Sequence, residues 1–115
     1  MSARAVLEAR LFALQRVSAM LVAPFVLVHL GLMLYAAKGG LSAAEILERT
    51  RGSGGWAVFY GVFVVAVAVH APIGVRNVLV EWTRLPRRGI DFVCALFALV
   101  LLGLGARAVF AVVAS

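Results

Sequence analysis

The chain has 115 residues, of which 64% are hydrophobic and 14% charged, with a formal net charge of +6 at pH 7. That length allows a single domain over residues 1–115, and so apolar a chain of this size has too little polar surface to cover a soluble core. The positive charge reads as loop charge that sets orientation in a membrane, with lipid as the partner and no nucleic acid.

The apolar residues gather in three blocks: Val17 to Ala37, about Gly54 to Val75, and Phe92 to Ala114. Each comes close to the roughly 20 residues that span the hydrocarbon core as a helix. The expected fold is all-α and membrane-embedded: three transmembrane helices, N-terminus cytoplasmic, with a short surface helix between helices I and II. Residues 1–16, rich in Ala, Leu and Arg, read as an amphipathic lead-in at the cytoplasmic surface. Helix I is expected from about Phe12 to Ala37, stopping at Lys38-Gly39-Gly40. Its long apolar run, with Pro24 and His29 inside it, argues against a cleavable signal peptide.

Ser42 and Glu45 have capping-box spacing and predict the short helix, from Ala43 to about Arg49. A flexible turn follows at residues 51–55, before Trp56, a residue suited to the membrane interface. Helix II is expected from about Trp56 to Thr83. Pro86 and Gly89 close a tight basic connection, and Asp91 falls near the start of helix III, where an anion suits the helix dipole. Arg4, Arg10, Arg16, Arg76, Arg84, Arg87 and Arg88 fall on one side of the membrane, and Lys38, Arg49, Arg51 and Arg107 on the other. By the positive-inside rule the larger group is cytoplasmic and the C-terminus outside. Arg107 reads as a snorkelling side chain.

The single cysteine, Cys94, permits no internal disulfide and reads as a small packing residue of helix III. Without a C-x-x-C-H motif, any haem would be non-covalent and b-type.

Polar side chains in a membrane helix usually face the bundle interior, because lipid cannot satisfy them. On helix II, His70, Gly74, Asn77 and Glu81 form one stripe; on helix I, Gln15, Ser18, Val22, Phe25 and His29 form another. Each stripe carries one mid-membrane histidine, and Gly74, one turn from His70, would let a flat macrocycle lie close. His29 is about 13 Å from the outer end of its helix and His70 about 21 Å from the same side, at 1.5 Å per residue. That mismatch of about 8 Å favours two haems, each taking its second ligand from another chain, over one haem shared by both histidines. Zinc is disfavoured, because two histidines without nearby Cys, Asp or Glu do not complete its site. The plain alternatives are interhelical hydrogen bonds for the histidines, each contributing about 1 kcal/mol, and a solvated helix end for Arg76 and Glu81.

Two motifs resemble the cytochrome b membrane-anchor subunit of succinate dehydrogenases and fumarate reductases. "QRVSA", Gln15 to Ala19, resembles the family's His-Arg-x-Ser-Gly entering its first helix. His70-x-x-x-Gly74-x-Arg76 with Glu81 five residues on is similar to the family's His-x-x-x-Gly-[Ile/Val]-Arg followed by an acidic residue. The resemblance implies that His70 is an axial ligand of haem b. It also implies that Arg16 belongs to a quinone site at the cytoplasmic edge, with Glu81 as its acidic neighbour and Arg76 and Ser18 as further candidates. Gln15 stands where a propionate-binding histidine is common, and Phe12 where some members carry a quinone-binding serine. His29 looks like the extra iron ligand of the two-haem anchors.

The implied function is a haem b-binding anchor in the cell inner membrane, passing electrons between an iron–sulfur subunit and membrane quinone. A flavoprotein subunit and a second small anchor subunit complete the expected partners. The alternatives are a haem-free quinone-binding anchor and a small structural or transport subunit, the latter disfavoured by the lack of a carboxylate near mid-membrane.

Overall fold

A computed structural model describes residues 2–114, which form four helices: α1 (Ala3–Lys38), α2 (Ala43–Thr50), α3 (Gly54–Trp82) and α4 (Arg87–Val113). Helices α1, α3 and α4 are each long and apolar enough to cross a membrane, and α2 is the short helix expected between the first two spans. The molecule is 52 Å along its longest axis.

Helix α1 starts where the Ser2 side chain accepts a hydrogen bond from the Ala5 N–H. Its 36 residues make it about 54 Å long, well beyond the ~30 Å of hydrocarbon it has to cross. The N-terminal stretch, expected as an amphipathic lead-in, is therefore continuous with the first span in a single helix that begins at Ala3 and not near Phe12. No glycine or proline interrupts residues 3–23, so nothing ends the helix there. Pro24 in α1 and Pro72 in α3 lie inside continuous helices, as spanning helices tolerate.

Helix α2 forms through a complete capping box. The Glu45 N–H donates to Ser42 Oγ at 3.2 Å, and the Ser42 N–H donates to Glu45 Oε1 at 3.3 Å. Its far end is pinned to α4: the buried Thr50 donates to the Val112 carbonyl at 2.6 Å, and the Gly52 N–H to the Val113 carbonyl at 2.6 Å. Gly52 makes that turn with φ +71°, a left-handed conformation that glycine adopts without strain.

Helix α3 lies between α1 and α4 and packs on both. Its buried side chains are mostly small: Ala66, Ala68, Pro72, Ile73 and Arg76. Facing them, α4 buries Ile90 and Cys94. The approach of α3 and α4 is so close at Gly105 that a Cβ there would collide with Val64, and small residues are what let spanning helices pack this tightly. Large apolar side chains such as Met20, Leu27, Leu34, Leu99 and Phe110 point outward, an exterior matched to lipid.

Candidate functional site

The two polar stripes meet where α1 crosses α3. Gln15, Ser18, Val22, Phe25 and His29 are all buried or half-buried along α1. Phe25 stacks on Phe59 with ring centroids 4.9 Å apart. Ser18, 4% exposed, sets its hydroxyl 3.4 Å from His70 Nδ1 and donates to the Gln15 carbonyl at 3.1 Å. The other ring nitrogen of His70, Nε2, has no partner among the described residues and is not among the buried unpaired atoms. His70 lines a shallow open groove with Ala71, Gly74, Val75, Val78 and Leu79.

Gly74 is instructive. A Cβ built on it would meet only Gln15 Nε2, at an ordinary 3.5 Å, so nothing inside the chain requires glycine there. Its bare backbone leaves room beside the imidazole for a group from outside. Gln15 Oε1 is buried and unpaired, and a buried polar atom without a partner costs about 1–3 kcal/mol. An imidazole with a free Nε2, an open backbone one turn away and the amide donor Gln15 Nε2 beside that backbone are features that fit a flat metal macrocycle with anionic edges. Toward the basic end the α3 stripe emerges, and Asn77 and Glu81 are exposed.

His29 has different surroundings. Its ring stands edge-on to Tyr60 and Phe63, with centroids 5.8 and 5.5 Å away, and its Nδ1 is buried without a hydrogen-bond partner. It lines a cavity of about 520 Å³ together with Thr50, Tyr60, Phe63, Leu104 and Val112, between α1, α3 and α4 and bordered by α2. Tyr60 and Phe63 precede His70 by ten and seven residues, so the histidines lie ~10–15 Å apart along α3. This exceeds the spacing expected by counting from Lys38 and Trp56, because Lys38 sits farther out than Trp56. One iron cannot take both imidazoles of this chain.

At the basic end the helices are joined by charge. Arg76 is 4% exposed, not the solvated helix end it resembled in sequence. Its Nη2 and Nη1 donate to the two Glu8 oxygens at 2.7 and 3.2 Å, and its Nε donates to Asp91 at 2.6 Å. Arg87 reaches Glu8 and Arg4 reaches Asp91, each at 3.3 Å. One guanidinium thus ties α1 and α4 to α3, and a bidentate fork to a carboxylate is among the stronger protein hydrogen bonds. Glu8 lies beyond the apolar run of α1, and Arg76's hydrogen bond holds its carboxyl below the usual glutamate range. Asp91, expected to serve the α4 dipole, instead accepts from Arg76 and Arg4. Sequence reading missed Glu8, although the signal was there: Glu8 is seven residues before Gln15 and ten before Ser18, and so extends their stripe.

Arg16 and Glu81 lie apart from this packing, whereas Cys94 sits within it. Arg16 is exposed, its guanidinium 5.8 Å from the centre of the Phe12 ring. Glu81 is exposed near the end of α3. Cys94 is buried on α4.

Three apolar spans, small-residue packing at the centre and a lipid-compatible exterior define a multi-pass membrane protein. A family model described as the succinate dehydrogenase/fumarate reductase transmembrane subunit matches residues 2–112, and the chain belongs to that family. Membership implies association with the other subunits of such a complex. No curated protein and no solved structure matches the chain.

Proposed function

We propose that this transmembrane subunit binds haem b through His70 and carries electrons between an iron–sulfur subunit and membrane quinone, as part of a succinate:quinone oxidoreductase of the cell inner membrane. The observation that carries this reading is an imidazole whose Nδ1 is tied inside the chain while its Nε2 opens onto a groove beside Gly74. His70 would ligate the iron, Gly74 would let the macrocycle lie against α3, and the Gln15 amide would donate from Nε2 to a propionate. Haem b, when bound, supplies a one-electron carrier at that depth. The groove is lined by α3 alone, so the second ligand would fall to another chain, which fits a second small anchor subunit.

The quinone contacts fall to Arg16 and Glu81 at the basic end. An exposed guanidinium there can donate to a quinone oxygen, and a carboxylate can orient it or hold a proton. Ser18 and Arg76 are engaged within the chain, Ser18 with His70 and Arg76 with two carboxylates. The iron–sulfur and flavoprotein subunits would dock at the same basic face. A second haem at His29 has in its support the adjoining cavity and the unpaired Nδ1. A haem-to-subunit ratio of two establishes it and a ratio of one removes it.

The test is a reduced-minus-oxidised spectrum of the purified complex. A b-type band that His70→Ala abolishes, with the helices still inserted, supports the reading. A wild-type complex without the band makes the chain a haem-free quinone anchor. Arg16→Ala should cut quinone reduction by ten-fold or more and spare reduction of an artificial dye; equal loss in both assays refutes the quinone assignment.

A further inference from the structure

The contacts around Ser18 go beyond naming a ligand, because they determine which nitrogen of His70 carries the proton. A serine hydroxyl has one hydrogen to give and lone pairs to offer. The Gln15 carbonyl, 3.1 Å from Ser18 Oγ, can only accept, so that contact consumes the hydroxyl proton. Toward His70 Nδ1 at 3.4 Å, Ser18 then has only a lone pair, and Nδ1 must bear hydrogen to meet it. A neutral imidazole carries one N–H. With Nδ1 protonated, Nε2 is a bare lone pair, and Nε2 is the nitrogen open to the groove. The opposite tautomer would require Ser18 to abandon the shorter bond for the longer one. At 4% exposure, Ser18 has no ready access to water as a replacement partner. His29 has no such relay at its buried Nδ1.

We propose that Ser18 is a positioning residue which holds His70 in its Nδ1-protonated tautomer, through the relay His70 Nδ1–H to Ser18 Oγ–H to the Gln15 carbonyl, and so presents Nε2 ready to bind iron. The proposal rests on the reading of His70 as a haem ligand. Hydrogen bonding at Nδ1 fixes the ring and raises its basicity as a ligand. A more basic axial ligand favours oxidised iron, and such hydrogen bonds are among the levers that tune the potential.

The experiment is a redox titration of the b-type band in the purified complex, with wild type, Ser18→Ala and Ser18→Thr. Ser18→Ala should shift the midpoint potential upward while most of the haem is retained. Ser18→Thr should restore the wild-type value, since a helical threonine hydroxyl can also bond the carbonyl one turn back. A Ser18→Ala potential equal to wild type overturns the proposal. The tautomer is read independently from ¹⁵N chemical shifts of His70 in the labelled, haem-free full-length chain, where no iron occupies Nε2. A protonated Nδ1 with a bare Nε2 sustains the relay, and the reverse overturns it. If the wild type carries no haem, the ligand reading fails on its own, and the ¹⁵N shifts still decide the role of Ser18.

Discussion

The chain carries two membrane histidines in opposite settings. His70 has a polar partner on one nitrogen, an open groove at the other and a glycine one turn away. His29 has aromatic rings at its edges, a buried unpaired nitrogen and a cavity shared by four helices. Both stand on a stripe that faces a neighbouring helix, so helical position alone does not separate them. What separates them is whether a second polar group fixes the ring, since an imidazole becomes a prepared ligand when its other nitrogen is already committed.

The largest expected effect tests that difference directly. His70→Ala should remove the b-type signal assigned to that site entirely, whereas His29→Ala should leave it in place; pyridine haemochrome content and difference spectra of the two variants are the measurement. Loss of the His70-site signal from both variants would erase the distinction between the two histidines.

Gly74→Val comes next and separates packing from ligand binding. The chain itself meets a Cβ there only at ordinary contact distance, so the helices should insert and the thermal midpoint in detergent should stay close to wild type. Haem content should nevertheless fall several-fold. Unchanged haem content would mean that the groove beside His70 is not where the macrocycle lies.

Arg76→Ala should have the smallest effect on the spectrum and a measurable one on stability. It leaves two carboxylates without their main partner, at a cost of about 2 kcal/mol, read by thermal unfolding in detergent. The loosening should reach the His70 end of the bundle before the His29 end. Acid should act on the same cluster. Arg76 holds Glu8's carboxyl below the usual glutamate range, so Glu8's contribution to stability is complete at neutral pH. It is lost as the pH falls through and below the usual glutamate range, and Glu8→Gln should flatten that dependence.

The sequence by itself determined the three spans, the capped helix at Ala43 and the two histidine-bearing stripes. These follow from local rules: hydrophobic length, helical period and cap chemistry act within one segment and need no knowledge of the rest of the chain. Burial of Ser18 between Gln15 and His70 could be anticipated only as a shared face. The contact of its hydroxyl with Nδ1 depends on how far α1 slides along α3. That register also decides the depth difference between the histidines, which counting from helix ends understated. Glu8's place on the α1 stripe was legible, but its pairing with Arg76 and that of Asp91 were not: the two carboxylates are 68 and 15 residues from Arg76 in sequence, and only the packing of all three long helices brings them together. A charged residue near a helix end reads as solvated until the neighbour that buries and neutralises it is in view.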